Sequence, residues 1–286
     1  MPSKSAEPGK LYLVGTPIGN LGDITLRAIE TLRAASIVFA EDTRRTRGLL
    51  AHLNVTGKRL ESLDAHASDS KLAHAVARLL AGEDAALVTD AGMPGVSDPG
   101  ARLVQAAAAA GVVVSVIPGP SAVSAAVALS GLVDGPFSFF GFLPRKGKGR
   151  QIALERIRDS AEPVVLFEAP GRIQATLDDL AALAPDRPAT LCRELTKLHE
   201  QVLRGTLSEL GRAPPSPRGE VVLVVGGGAP GEAEGLSDEE VDDWIDRRLA
   251  EGASTKELST ELSQLTKRPR RELYGLIQSR RDQASR

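Results

Sequence analysis

Four short loops carry the residue types best suited to chemistry. They are Gly15-Thr16-Pro17-Ile18-Gly19-Asn20, Glu41-Asp42-Thr43-Arg44-Arg45, Asp90-Ala91-Gly92-Met93-Pro94-Gly95 and Pro118-Gly119-Pro120-Ser121. Proline fixes φ and glycine permits positive φ and close backbone approach, so loops of this kind present rigid N–H and C=O groups. The chemistry they favour is the grip of a small polar ligand by backbone. Any one of them, taken alone, reads first as a tight βα turn. Four in succession, each behind an apolar run, read as the walls of one site.

Other chemistries lack their signatures. No G-x-G-x-x-G opens the first helical stretch and no G-x-x-x-x-G-K-[ST] occurs, which disfavours dinucleotide and P-loop enzymes. The four histidines, His52, His66, His74 and His199, form no H-E-x-x-H pair, and neither Ser97 nor Ser121 sits in a G-x-S-x-G elbow. The single Cys192 excludes a disulfide framework and any multi-cysteine metal centre, and suits a reducing compartment, so cytoplasm is the expected location. A formal net charge of -2 argues against global electrostatic coating of nucleic acid, so any such contact must be a local patch. Nine aromatic residues (Phe 6, Tyr 2, Trp 1) are too few for reading RNA on an aromatic sheet.

The elements that must position the loops follow from the apolar pattern. At 286 residues and 42% hydrophobic, the chain can bury one or two ordinary cores. The runs Leu11–Val14, Ser36–Ala40, Ala86–Thr89 and Val112–Ile117 are apolar without alternation, as strands covered on both faces are, and helical patterns separate them. The expectation is an α/β fold of two α/β domains, with the four loops lying outside the carboxyl ends of the first domain's strands and lining one cleft. Residues 10–135 form the first domain after a loose tail over 1–9 that lacks a signal-peptide pattern. Residues 136–228 form a second α/β or mixed-sheet domain, with runs at Val164–Phe167, Ala189–Cys192 and Val221–Val225. Residues 229–286 are a Gly/Pro/Ala/Glu linker and a helical module, in which Pro269 opens a helix. That module is polarised: Glu232 to Glu251 holds nine acidic residues and Lys267 to Arg286 seven basic ones. It reads equally as a solvated helical face or as an RNA-contacting, helix-turn-helix-like pair. No apolar run reaches the roughly 20 residues needed to span a bilayer.

The ordered motifs Gly15–Asp23, Ala40–Thr46, Asp90–Gly100, Pro118–Ala122 and Gly141–Lys146 resemble the ribosomal RNA small subunit methyltransferase I family. The likeness continues through Phe167–Ile173 and Arg193–Lys197 to Gly219-Glu220, covering about Lys10 to Gly228. Met93 stands where that family has Thr, and Leu63–Ser68 keeps one of its two histidines, His66. The resemblance implies the tetrapyrrole-methylase fold with the cofactor held in a cleft between the two α/β domains, S-adenosylmethionine as methyl donor, and 2′-O-methylation of a cytidine ribose in the decoding region of small-subunit ribosomal RNA. It also implies a homodimer. It carries cofactor contacts onto Pro17, Asp90, Ala91, Gly92, Ser97, Pro120, Ser121, Phe167 and Glu168. For Asp90, a helix-capping role is the competing reading. Glu41, Asp42 and a deprotonated Lys197 become candidates for assisting loss of the hydroxyl proton. Arg44, Arg45, Arg145 and Lys146 become candidates for holding RNA phosphates, with Arg193 also facing the RNA. Structural ion pairing is the competing reading of the Glu41–Arg45 run. The same fold also admits a precorrin or uroporphyrinogen methyltransferase, and a non-catalytic RNA-binding factor is the rival from another class.

Overall fold

The structure, a computed structural model, describes residues 7–65, 67–98, 100–213, 218–228, 238–251, 253–266 and 268–284. The first six residues of the expected tail, His66 and the linker over 229–237 lie outside the described residues.

Five parallel strands make the first sheet: β1 (Leu11–Val14), β2 (Ile37–Ala40), β3 (Arg59–Ser62), β4 (Ala85–Val88) and β5 (Val114–Ile117), in the order β3-β2-β4-β1-β5. Every residue of β2 and β4 is buried, which is why those runs are apolar without alternation. Helices α1 (Leu26–Ala34) and α2 (Thr43–His52) cover one face, where Leu32 and Leu50 pack on Val38 and Val88. Helices α3 (Asp69–Leu80) and α4 (Ala101–Ala109) cover the other, where Leu79 and Leu103 pack on Phe39 and Leu87. Thr25, Asp42 and Ser68 cap the first three helices by accepting backbone N–H groups, whereas α4 starts at Gly100 without a side-chain cap.

Two features differ from the apolar pattern. Strand β5 begins at Val114 rather than Val112, because the Val112 N–H closes the end of α4 on the Ala107 carbonyl at 3.0 Å. Strand β3, Arg59-Leu60-Glu61-Ser62, is a half-exposed edge strand with no apolar run to announce it.

The second sheet is mixed, as the alternative expectation for that region allowed. It comprises β6 (Ser138–Phe142), β7 (Val164–Glu168), β8 (Pro188–Arg193), β9 (Gln201–Thr206) and β10 (Val221–Val225), ordered β6-β7-β10-β8-β9. Only β6 and β7 run parallel; the other pairings are antiparallel. Helices α6 (Lys148–Arg158), α7 (Ile173–Leu183) and α8 (Leu207–Arg212) close one face around Leu166, Leu177, Leu191 and Leu223. The other face receives α5 (Ala122–Ser130), whose Ala126 packs with Val165, Val222 and Val224. Helix α5 thus follows the first sheet's last strand in sequence yet seals a face of the second sheet, which ties the two sheets together.

Helices α9 (Asp238–Ala250), α10 (Thr255–Thr266) and α11 (Arg270–Ala284) enclose a core of their own from Val241, Ile245, Leu258, Leu262, Leu273 and Ile277. Three helices are present where the pattern showed two across a turn. Several of the module's basic groups are engaged within it: Arg280 pairs with Asp242 and Asp246, and Arg268 with Glu272 at 2.7 Å. None of the helices in the described residues is long and apolar enough to cross a membrane.

Candidate active site

The loops after β1, β4 and β5 are locked to one another by backbone. Thr16 and Gly92 exchange N–H···O bonds of 2.9 and 3.1 Å, and the Thr16 hydroxyl donates to the Thr89 carbonyl at 3.1 Å. Gly15 and Gly119 face each other so closely that a Cβ on Gly15 would lie 2.7 Å from the Gly119 Cα. Only glycine fits at that crossing.

These loops form one wall of a cavity of about 380 Å³ between the two sheets. From the first sheet come Ile18, Ala91, Gly92, Met93, Val96, Ser97 and Asp98, and the start of α5 adds Ser121, Ala122 and Val123. The opposite wall is Phe142, Phe167, Glu168, Ala169, Leu195, Glu220 and Val222. Phe167 stacks edge-on with Phe139 at 5.0 Å and tilts against Phe142 at 5.5 Å, while 57% of Phe142 remains exposed at the mouth. The cavity is mostly apolar with a few convergent polar groups, the usual constitution of a small-molecule site.

Of the expected cofactor contacts, Ala91, Gly92, Ser97, Ser121, Phe167 and Glu168 line this cavity. Pro17, Asp90 and Pro120 belong to the same loops but are not among the residues that line it. Ser121 also serves as the N-cap of α5. The Glu168 carboxylate is fully enclosed and spent on structure: it accepts from the Ala169 N–H and the Thr176 hydroxyl at 2.7 Å each and pairs with Arg172 at 3.1 Å. It reaches the cavity by its position at the end of β7 and has no charge left to offer a ligand.

The charged candidates fall into distinct states. The Asp42 carboxyl is held down to about 2 by the Arg44 side chain and the Arg44 backbone N–H, so it is a weak base as well as the cap of α2. Glu41 accepts the Asp90 N–H at 3.3 Å; Asp90 accepts the Asp42 N–H at 3.2 Å and pairs with Arg45 at 3.3 Å. Ion pairing therefore accounts for much of the Glu41–Arg45 run. Burial works against the charge of Lys197, yet hydrogen bonds to Glu194 and Glu220 outweigh it and raise its pKa. Lys197 is accordingly a cation that pins its loop, and a deprotonated Lys197 base does not fit the structure. Arg193 is buried, with its guanidinium donating to the Arg218 carbonyl at 2.6 Å and to Gln201 at 3.0 Å, so it holds β8, β9 and the turn before β10 together rather than facing RNA. Arg145 and Lys146 are exposed just beyond β6, and Arg44 is open to solvent.

Residue-type reasoning passed over Asp98. Its carboxyl is pushed up to about 6, first by burial and then by the nearby charges of Glu41 and Asp90. It lies within the quoted Asp90–Gly100 motif, so the signal was present though unassigned. Leu195 and Glu220 likewise lie in the Arg193–Lys197 and Gly219-Glu220 motifs without an assigned role, and Val222 in a run read only as strand; the pairing of β10 with β7 and β8 helps bring them to the cavity.

The sequence model described as Tetrapyrrole (Corrin/Porphyrin) Methylases matches residues 10–211. The chain is 43% identical to ribosomal RNA small subunit methyltransferase I of Synechocystis over 94% of this chain and 97% of that protein. It is 38% identical to the protein of the same name from Bacillus subtilis, over 94% of each. The Thermotoga maritima protein of that name is 43% identical and is covered over 99% of its length by 77% of this chain. Among solved structures, the methyltransferase CobJ superposes with a TM-score of 0.59 at 20% identity, covering 77% of this chain and 95% of that one. Uroporphyrin-III C-methyltransferase from Thermus thermophilus, complexed with S-adenyl homocysteine, superposes at 0.54 and 21% identity, over 76% and 97%. These last two likenesses concern the fold. A paired α/β architecture with a backbone-walled cavity between its sheets, a family match spanning most of the chain and relatives aligned nearly end to end together place this chain in the tetrapyrrole methylase family, with the ribosomal RNA small subunit methyltransferase I proteins.

Proposed function

We propose that this chain transfers a methyl group from S-adenosylmethionine to the ribose 2′-oxygen of a cytidine in the decoding region of small-subunit ribosomal RNA. The observation that carries the reading is the alignment, at 38–44% identity, with methyltransferases named for that RNA, over 93–95% of this chain in all but one of the relatives compared. The cavity fits the donor. Its volume lies within the range of small-molecule sites, and at Gly92, with φ +82°, an added Cβ would approach Ile18 at 3.4 Å and the Pro120 carbonyl at 3.6 Å. When bound, the donor supplies an electrophilic methyl on a cationic sulfur.

The chain's own part is positioning, since in-line transfer gains most from holding two reactants in register. The locked loops after β1, β4 and β5 fix one wall, and Phe167 and Leu195 give the other an apolar surface. Arg44, Arg45, Arg145 and Lys146 are the cations we assign to RNA phosphates. The same reading makes the protein a cytoplasmic homodimer acting on the small ribosomal subunit.

The test is transfer of labelled methyl to small subunits lacking the modification, with mapping of the labelled nucleotide and sugar position, and a uroporphyrinogen offered in parallel. Label on a decoding-region cytidine ribose is expected. Label on the tetrapyrrole alone, or on neither, overturns the reading.

A further inference from the structure

Accepting ribose methylation as the reaction, we infer that Asp98 is its catalytic base: its carboxylate, facing the cavity between the sheets, accepts the proton of the attacking 2′-hydroxyl. Among the described residues no hydrogen bond or ion pair engages this carboxylate, whereas every other acid near the cavity has a partner. Asp42 is committed to Arg44, Asp90 to Arg45, Glu41 to the Asp90 N–H, Glu168 to Arg172 and Glu220 to Lys197. Lys197 is protonated and cannot take the role.

Asp98 follows a strained residue in a tightly turned loop. Ser97, a non-glycine residue, sits at φ +61°, in a loop where Gly92, Gly95 and Gly100 are also left-handed. The Ser97 hydroxyl lies 3.0 Å from where a Cβ on Gly141 would be, so the loop reaches across to β6 and rests on the second sheet. Asp98 also borders a smaller cavity of about 170 Å³, lined in part by Asp64 and Arg102. The charged groups around it are thus Glu41 and Asp90 with Arg45 behind them, Asp64 and Arg102 across the smaller cavity, and Glu220 on the far wall. A carboxyl raised to about 6 is largely ionised at neutral pH and more basic than an ordinary aspartate, which suits a general base.

The step balances. The carbon–sulfur bond breaks with its electron pair left on sulfur, a lone pair of the 2′-oxygen forms the new oxygen–carbon bond, and the hydroxyl proton passes to Asp98. The sulfonium loses one positive charge as the carboxylate loses one negative charge, and the proton then leaves to solvent.

The experiment uses the full chain and its Asp98→Asn and Asp98→Glu variants, in three measurements. Calorimetry with S-adenosylhomocysteine is expected to give affinities within about twofold of one another, showing that the fold and the donor site survive. Single-turnover transfer to unmodified small subunits is expected to fall by roughly 10²–10⁴ in Asp98→Asn, with KM for subunits little changed and the acidic limb of the pH profile lost, and to recover partly in Asp98→Glu. Carbon-13 carboxyl titration of the protein without ligands, assigned by difference against Asp98→Asn, is expected to place this group near 6. A wild-type rate and pH profile in Asp98→Asn, a loss of donor affinity that accounts for the whole loss of rate, or titration in the ordinary aspartate range each overturns the inference. If wild-type protein labels no ribose, the function proposed above fails and this role falls with it; if it labels ribose and Asp98→Asn does so equally well, only this role fails.

Discussion

At the scale of single residues, the acids of the cleft are sorted by their partners. Glu168 is enclosed and fully bonded, so Glu168→Gln leaves Arg172 short of its counter-charge without changing shape. The expected cost is about 2–3 kcal/mol, since removing one member of a buried, hydrogen-bonded pair strands the other; a urea midpoint lowered at unchanged m-value checks it. Asp98 has the opposite sign. Its carboxyl rises from the ordinary 3.8 to about 6, so between those values the native state binds more protons than the unfolded chain and stability falls as pH rises. The full linkage would be roughly 3 kcal/mol, reduced by solvent screening at this partly exposed position to about 1 kcal/mol. Asp98→Asn is therefore expected to melt about 2 °C above wild type at pH 7.5 and level with it at pH 3.5, as read by calorimetry. Cys192, in the core of the second sheet with its thiol pushed up to about 11 by burial, has no part in this chemistry.

At the scale of elements, the site depends on how closely two strand ends approach. β1 and β5 pair from Leu11↔Val114 to Val14↔Ile117, and their following loops meet at Gly15 and Gly119. In Gly15→Ala the new Cβ would meet the Gly119 Cα and the Met93 sulfur at 2.7 Å each, and the first of these is backbone that has to move. We expect a stability loss of about 1–3 kcal/mol and a tenfold or greater loss of S-adenosylhomocysteine affinity in calorimetry; unchanged affinity would show that this crossing does not shape the site. The edge strands illustrate the limit of pattern reading. β3 and β9 are edge strands with half-exposed side chains, and neither carries the apolar run that marks the fully buried β2, β4 or β10.

At the scale of the whole molecule, the catalytic unit and the C-terminal helices have separate cores. The Thermotoga maritima relative aligns over 99% of its own length with 77% of this chain, so a protein of that name spans less than the whole length seen here. A chain ending at Gly228 is accordingly expected to fold and to bind S-adenosylhomocysteine within about twofold of the full chain; a larger loss would mean that the helices support the cleft.

The sequence by itself determined the alternation of buried strand and helix, the backbone-lined loops and, through its motifs, the family. Those properties are local: β2 and β4 are apolar because both faces are covered, and glycine and proline write their φ requirements into the chain. Only the tertiary structure decided what each charged side chain does, because charge states depend on neighbours far away in sequence. Lys197 is kept protonated by Glu194 and by Glu220 across the turn before β10, Arg193 is turned inward by Arg218, and Asp98 is left unpartnered between Glu41 and Asp90. The cavity itself belongs to that level too: the β7-β10-β8 pairing assembles its second wall and α5 crosses from the first wall onto the other sheet, contacts that no window of the sequence contains.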